Sequence, residues 1–142
     1  MKLPVKLNFG IIKNKNIRIG YIRDSTFYGY EGILQKVIQK GDCLTFLFTD
    51  GKKMEVDNRA FLYSKIRMNG NTITISYDEK NLVFSGFFGF TMYDTYGFPI
   101  EMVQEILDEM DDICHNLDLE GCQILKDLQK ELSQNTKFGG AF

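Results

Sequence analysis

The spacing of apolar residues changes once along this chain of 142 residues, at the segment TMYDTYGFPIEM from Thr91 to Met102. Before this segment, apolar and polar residues alternate in short runs separated by turn residues, which is the pattern of half-buried strands. After it, apolar residues recur every three or four positions, as in amphipathic helices. The sequence therefore predicts an α+β fold, with an antiparallel sheet or small barrel of about six to eight short strands followed by two C-terminal helices.

Several strands and turns can be predicted individually. Alternation over 5–12 predicts a strand that forms a hairpin with the strand after it, whereas glycines and rings over 25–32 predict a loop. The dipeptides Asp50-Gly51 and Asn69-Gly70 are typical of tight hairpin turns, and the nearly continuous apolar run 82–90 predicts a buried central strand. Further strands are expected at 33–39, 44–48, 52–56, 61–68 and 73–77.

The C-terminal part of the chain predicts two helices. Pro99 fits the first position of a helix, where a missing N–H costs little, and an apolar stripe continues from Ile100 to Leu117. A second helix begins at Leu119 with Asp118 as its cap. We expect a single domain over 1–142, with a basic β-rich part over 1–97, an acidic helical part over 98–133 and a tail over 134–142.

The net charge of −2 conceals a division between these two parts. Residues 1–97 contain 14 Lys or Arg against 9 Asp or Glu, and residues 98–142 contain 3 against 10. Charge bears on association and not on fold. The two parts either face different partners or screen each other.

Composition excludes several classes of protein. No apolar run approaches the roughly 20 residues that span a bilayer, and the first residues lack the apolar core of a secretion signal. This predicts a cytoplasmic protein, in the host cytoplasm if the chain is encoded by a phage. Three cysteines without CxxC spacing predict reduced thiols. With His115 as the only histidine, we expect no metal site, no cofactor and no catalytic residues.

Basic residues near the N-terminus adjoin a group of aromatic rings. Such an arrangement can hold phosphates while bases stack on the rings, although rings in a sheet are more often core residues. The candidate ligand-binding residues here are Arg18, Arg23, Phe27, Tyr28 and Tyr30.

The first predicted helix carries acidic residues and no Lys or Arg. Four of them share one face because they are spaced by four, three and four positions. This face could engage a basic protein surface as a nucleic-acid mimic would, bind a metal, or be a solvated helix face. The candidate protein-interaction residues are Glu101, Glu105, Asp108 and Asp112.

The segment at the change of periodicity strongly resembles a signature of alanyl-tRNA synthetases that lies beyond the catalytic core and assists tRNA recognition. Seven consecutive residues match, namely Tyr93, Asp94, Thr95, Tyr96, Gly97, Phe98 and Pro99. The family's aminoacylation core and histidine-rich editing site have no counterpart here, so the chain is not that enzyme. We expect Asp94, Gly97 and Pro99 to shape the junction, with Tyr93 and Tyr96 as candidate ligand contacts.

Short phage proteins carry a similar DTYGFP-like segment, and this chain resembles them in length and composition. The leading hypothesis is a non-enzymatic binding protein of phage or mobile-element type that sequesters or inhibits a host factor, either a defence protein or its nucleotide signal. The alternative is a small RNA-binding module for a tRNA-like stem. A small hydrolase would require His115. The apolar helical stripe also permits a homo-oligomer.

Overall fold

The computed structural model describes residues 5–110 and 116–140, and in these residues six strands form one open sheet. The order across the sheet is β4-β3-β2-β1-β6-β5, and all neighbours are antiparallel except β1 and β6, which run parallel. The α+β prediction is confirmed, with a mixed sheet that does not close into a barrel. The strands are β1 (Asn16–Arg23), β2 (Thr26–Lys40), β3 (Cys43–Phe48), β4 (Lys53–Asp57), β5 (Ser64–Asn69) and β6 (Thr72–Asp78).

The longest strand, β2, has different partners along its length. Residues 26–33 pair with β1, residues 34–40 pair with β3, and the register shifts between Leu34 and Lys36. Gly29 lies directly opposite Gly20 of β1, and a Cβ atom on either glycine would overlap the backbone of the other strand. We call residues 16–33 the β1–β2 ribbon, because here two backbones approach more closely than any side chain would allow.

Two predictions near the N-terminus are wrong. Residues 5–9 form no strand, and Gly10–Ile12 is a short 3-10 turn. Ile11 and Ile12 are both buried, whereas a strand would send consecutive side chains to opposite faces. The segment 25–32, expected as a loop, belongs to β2 from Thr26 onwards. Its Gly29 packs against Gly20 of β1 instead of forming a turn.

Four helices complete the described residues 5–110 and 116–140, and none of them is both long and apolar enough to cross a membrane. The first starts where the Asp57 carboxylate accepts hydrogen bonds from the backbone N–H groups of Arg59 and Ala60, at 3.0 and 3.3 Å. It occupies part of the strand predicted over 61–68, so β5 begins only at Ser64. The helices are α1 (Asn58–Leu62), α2 (Gly86–Tyr96), α3 (Ile100–Met110) and α4 (Leu119–Gly140).

The apolar run 82–90 is not a strand, which corrects another prediction. α2 begins after Ser85, whose hydroxyl accepts a hydrogen bond from the Phe87 N–H at 3.2 Å. A continuous apolar run is compatible with a buried helix as well as a buried strand. Here the helix forms because α4 packs against it: a Cβ on Gly86 would lie 2.7 Å from the backbone nitrogen of Cys122.

The centre of the core is a cluster of four phenylalanines that joins distant parts of the chain. Phe9 from the N-terminal segment lies 5.2 to 5.8 Å, centroid to centroid, from the rings of Phe46, Phe61 and Phe87. These three rings belong to β3, α1 and α2, and all are fully buried. Aromatic pairs at such distances stabilise a core beyond the area they bury, so the N-terminal segment is fixed to the sheet without being a strand.

Gly97 ends α2 with a φ of 73°, a left-handed conformation that favours glycine. Its N–H donates to the Tyr93 carbonyl at 3.1 Å, and α3 then begins as the Pro99 carbonyl accepts from Met102 and Val103. Gly97 and Pro99 therefore shape this junction as expected. Asp94 is exposed, and its side chain makes no hydrogen bond to any described residue.

The start of α4 is fixed by Asp118, which is 4% exposed. Its carboxylate accepts hydrogen bonds from the Gly121 N–H at 3.2 Å, as a helix cap does, and from the Ile66 N–H of β5 at 2.8 Å. Arg67 forms an ion pair with it at 2.6 Å. The predicted cap thus also attaches α4 to an edge of the sheet.

The extent of the two C-terminal helices differs from the prediction at their ends. Leu117, expected in the apolar stripe of the first helix, forms an isolated bridge with Phe84 outside α3. Residues 111–115, which include Asp112 and His115, lie outside the described residues. The second helix continues to Gly140, beyond the position where a tail was expected.

Candidate ligand-binding cleft

Three tyrosines lie side by side across the sheet near the free end of the β1–β2 ribbon. Tyr21 of β1 is opposite Tyr28 of β2 on one side and Tyr77 of β6 on the other. The rings of Tyr21 and Tyr28 are stacked, with centroids 5.3 Å apart and planes 21° apart, and these residues are 46% and 47% exposed. We call these three residues the tyrosine row. The tyrosine row lies on the same face of the sheet as the buried isoleucines of β1 and β6, nearer to the ends of these strands.

Beside the tyrosine row is a cleft of about 520 Å³ between β1 and β6 on one side and β4 and α1 on the other. Tyr21 and Tyr77 line its first wall, and Met54, Val56 and Ala60 line the second. The cleft exists because the sheet remains open, so that β4 and β1 face each other without pairing. Its volume lies within the range of about 300–1,000 Å³ that is typical of small-molecule sites.

The charged residues of the cleft are one arginine and three carboxylates. Arg23 follows Tyr21 by two positions on the same strand face and makes no ion pair with any described residue. The acidic residues that line it are Glu55, Asp57 and Glu79. Glu55 and Asp57 are exposed and alternate on β4 with Met54 and Val56, and the Asp57 carboxylate caps α1, so Glu79 is the carboxylate best placed to accept a hydrogen bond from a ligand's amino group. Arg23 can pair with a single anionic group.

Two of the predicted ligand residues lie on the opposite face of the ribbon. By strand alternation, Arg18 and Phe27 share a face that is not the face of the tyrosine row. The guanidinium carbon of Arg18 is 3.9 Å from the centroid of the Phe27 ring, so the two side chains contact each other. The structure therefore divides the predicted basic and aromatic group between two faces of the sheet.

Tyr30, another predicted ligand residue, is engaged by neighbouring residues. Its ring packs edge-on against Phe48 at 4.7 Å, Lys52 lies over it at 5.5 Å, and its hydroxyl donates a hydrogen bond to the Asp50 carboxylate. That hydrogen bond raises the pKa of Tyr30 and lowers the pKa of Asp50. These contacts fix the β3–β4 turn to β2 and cover the Tyr30 ring, on which a base would have to stack.

The tyrosines of the DTYGFP segment lie elsewhere. Tyr93 and Tyr96 are exposed on α2, and neither lines the cleft. The ammonium group of Lys126 on α4 lies 4.1 Å from the centroid of the Tyr93 ring. Of the seven predicted ligand residues, only Arg23 lines the cleft, and Tyr28 contacts it through its stack on Tyr21.

The predicted acidic face of α3 is exposed where the structure describes it. Glu101, Glu105 and Asp108 are exposed, and Asp108 accepts a hydrogen bond from Gln104 at 3.0 Å. None of the three forms an ion pair with a described residue. Asp112, the fourth member, lies outside the described residues.

The described cysteines offer no reactive thiol in the cleft. Cys122 is buried against Gly86, and burial raises the pKa of its thiol to about 12, so a thiolate is scarce at neutral pH. Cys43 is exposed on β3 and does not line the cleft. Among residues 5–110 and 116–140, no three His, Cys, Asp or Glu side chains cluster as metal ligands would.

Tyr21, Tyr77 and the three carboxylates of the cleft were absent from the sequence-based candidates. Tyr21 and Tyr77 each stand at the end of an alternating apolar strand, which is the one signal the sequence offers. Their adjacency depends on the parallel pairing of β1 with β6, across 56 positions of the chain. No local pattern reveals such a pairing.

Comparison with known proteins finds a local similarity to a synthetase. The chain is 49% identical over 47 residues to the alanine–tRNA ligase of Prochlorococcus marinus (strain MIT 9515), a match that covers 33% of this chain and 5% of that protein. It is 33% identical over 78 residues to the alanine–tRNA ligase of Mycoplasmopsis agalactiae, covering 54% and 9%. The local resemblance is thus confirmed, although the chain spans less than a tenth of either relative. No protein-family model and no solved structure matches this chain.

Proposed function

We propose that this chain is a non-enzymatic binding protein of phage or mobile-element type that captures a small nucleotide in the cleft and withholds it from a host defence component. The observation that carries the proposal is the tyrosine row beside a cleft lined by Arg23, which forms no ion pair with a described residue. A base stacked on an aromatic side chain gains about 1–3 kcal/mol, whatever its identity. The proposed biological setting is the cytoplasm of the host, and it is based on the resemblance of the DTYGFP-like segment to short phage proteins.

The charges of the cleft narrow the ligand class. Among the described residues, Arg23 is the one cation that lines the cleft, so a triphosphate or an RNA strand finds little counter-charge there, whereas a base with an exocyclic amino group provides a donor for Glu79. Arg23 then pairs with a single phosphate. A nucleoside monophosphate, or a signal nucleotide with few charges, fits this set better than a polyanion does.

Calorimetric titration with the four nucleoside 5′-monophosphates tests the proposal. We expect Tyr21→Ala to weaken binding by roughly tenfold or more, since about 1.4 kcal/mol of lost stacking corresponds to a factor of ten. Tyr93→Ala is the matched control, because Tyr93 is 44% exposed against 46% for Tyr21 but lies outside the cleft. Arg23→Gln should reduce the preference for the nucleotide over its nucleoside. Binding that is unchanged in Tyr21→Ala, or no binding of any monophosphate, contradicts the proposal.

The second candidate is an RNA-binding module for a tRNA-like stem, and the similarity to two alanine–tRNA ligases favours it. Its contacts would include Tyr93 and Tyr96, so Tyr93→Ala and Tyr96→Ala would weaken binding of total tRNA and Tyr21→Ala would not. Phosphate contacts would also make the affinity fall steeply with salt. The exposed carboxylates of α3, which begins four residues after Tyr96, would repel RNA there, so we rank this function second.

The exposed acidic face of α3 is the proposed contact for a host protein in the same setting. Glu101, Glu105 and Asp108 complement a basic surface, and such a contact would weaken with ionic strength.

A further inference from the structure

A second pocket, of about 240 Å³, lies at the other end of β1 from the tyrosine row. Three lysines line it: Lys6 from the N-terminal segment, Lys13 just before β1, and Lys36 from β2. Among the described residues, no Asp or Glu lines this pocket, in contrast to the cleft, which is lined by Glu55, Asp57 and Glu79. We call these three residues the lysine pocket.

The side-chain amide of Gln39 holds the N-terminal segment beside the lysine pocket. Its nitrogen donates to the Val5 carbonyl and its oxygen accepts from the Leu7 N–H, each at 2.9 Å. Gln39 thus takes the place of strand pairing for this segment. Lys6 lies between the two anchored residues, while Leu7 is buried in the core.

The other two lysines are attached to the same part of β2. The Asn14 N–H donates to the Leu34 carbonyl at 2.8 Å, and the Leu34 N–H donates to the Lys15 carbonyl at 3.0 Å, which fixes the backbone next to Lys13. Lys36 follows the register shift after Leu34, where an irregular pairing redirects side chains. The backbone therefore brings all three lysines to one pocket.

None of these three ammonium groups forms an ion pair with a described residue. Cations gathered without a counter-charge repel one another, and a bound anion removes that repulsion. We propose that the lysine pocket binds a phosphate group, carried either by a small molecule or by the backbone of a nucleic acid. This site is separate from the cleft, because no described residue lines both pockets.

Amide chemical shifts recorded during a titration with inorganic phosphate test this proposal. We expect shift changes at residues 6–13 and 36–39, and a several-fold weaker affinity in each of Lys6→Gln, Lys13→Gln and Lys36→Gln. Lys40→Gln and Lys53→Gln are matched controls, since both lysines are exposed on strands and lie outside the pocket. Shift changes elsewhere only, or controls that weaken binding as much as the pocket variants, overturn the proposal.

A short single-stranded oligoribonucleotide in a parallel titration identifies the source of the phosphate. Tighter binding than inorganic phosphate at the same residues, with a steep dependence on salt, assigns the pocket to a nucleic-acid backbone. Binding of phosphate alone assigns it to a phosphorylated small molecule. If neither ligand shifts these residues, the lysine pocket is not a phosphate site.

Gln39→Leu separates the geometry of the pocket from its charge, because it removes both hydrogen bonds and keeps all three lysines. We expect phosphate affinity to fall, and the loss to be smaller when Lys6 is already Gln, since Gln39 acts through the position of Lys6. Equal losses in both backgrounds would contradict this positioning role. Urea unfolding of each variant verifies that the fold is retained.

Discussion

Close approach of glycine backbones occurs in two regions of this protein, and the surroundings of the two contacts are opposite. In the β1–β2 ribbon, Gly20 lies against Gly29, and two tyrosine rings beside them are almost half exposed. Where α2 crosses α4, Gly86 lies against Gly121 and the neighbouring side chains are buried. A contact between glycine backbones by itself therefore indicates tight packing. Beside the ribbon, the exposed ring of Tyr21 lines a cleft together with Arg23, which forms no ion pair with a described residue, and these are the features of a binding site.

The segment that resembles alanyl-tRNA synthetases lies in the second of these two regions. It spans the end of α2 and the start of α3, next to the buried crossing, and its glycine and proline determine where one helix ends and the next begins. A conspicuous string of residues can therefore encode a helix junction. The candidate ligand site lies in the sheet, outside that string.

The largest expected effect is on the helical side, at the cap of α4. Asp118→Ala leaves the N–H of Ile66 and the guanidinium of Arg67 without their buried acceptor, and we expect it to lower the free energy of unfolding by about 2–4 kcal/mol. Glu120→Ala removes the exposed carboxylate that pairs with the same arginine, and it should lower the free energy of unfolding by less than about 1 kcal/mol. Urea unfolding measures both. Similar values for the two variants would show that α4 is not held at Asp118.

A smaller effect is expected in the ribbon. Gly20→Ala places a methyl group against the Tyr28 carbonyl, and we expect a loss of about 1–3 kcal/mol in stability together with weaker nucleotide binding in the cleft. Gly10→Ala is the control, because its methyl group would meet only the side-chain oxygen of Asn8, at 3.3 Å. Full stability in Gly20→Ala would mean that the two strands are further apart than the structure has them.

The smallest effect concerns the contact between Tyr30 and Asp50, next to the ribbon. Because the phenol donates to the carboxylate, the pKa of Tyr30 lies above 10.0 and the pKa of Asp50 lies below 3.8. The contact therefore stabilises the fold between these limits, and its contribution is lost as the pH falls below about 3.8 or rises above about 10. In Asp50→Asn, the phenol should titrate closer to 10.0, as followed by the ¹³C shift of its Cζ atom. An unchanged titration would exclude this hydrogen bond.

Features encoded by neighbouring residues could be predicted from the sequence. Asp50-Gly51 and Asn69-Gly70 both lie at the ends of hairpins in the structure, with a φ of 88° at Gly51 and 62° at Gly70, although Asn69 still pairs with Thr72 and the turn residues are Gly70 and Asn71. Asp118 caps α4. These features depend on the preferences of two to four residues, and the alternation of apolar residues locates the strands that flank the turns.

Features decided by distant residues could not be predicted in this way. The run 82–90 is apolar at nearly every position, so its periodicity does not distinguish a strand from a buried helix, and its packing partner Cys122 lies far along the chain. The candidate site was predicted only in part for the same reason. Arg23 and Tyr28 were recognised by residue type, whereas Tyr77 becomes a neighbour of Tyr21 only through the sheet.

The parallel pairing of β1 with β6 also determines when the site can form. As the chain is synthesised, β1 can pair with β2 early, but the tyrosine row lacks Tyr77 until β5 and β6 have been made and have returned to the centre of the sheet. Closing such a long loop is slower than forming a hairpin. A nascent chain that ends before Thr72 therefore has the stacked pair Tyr21 and Tyr28 but only part of the cleft. The proposed capture of a ligand would therefore require the finished sheet.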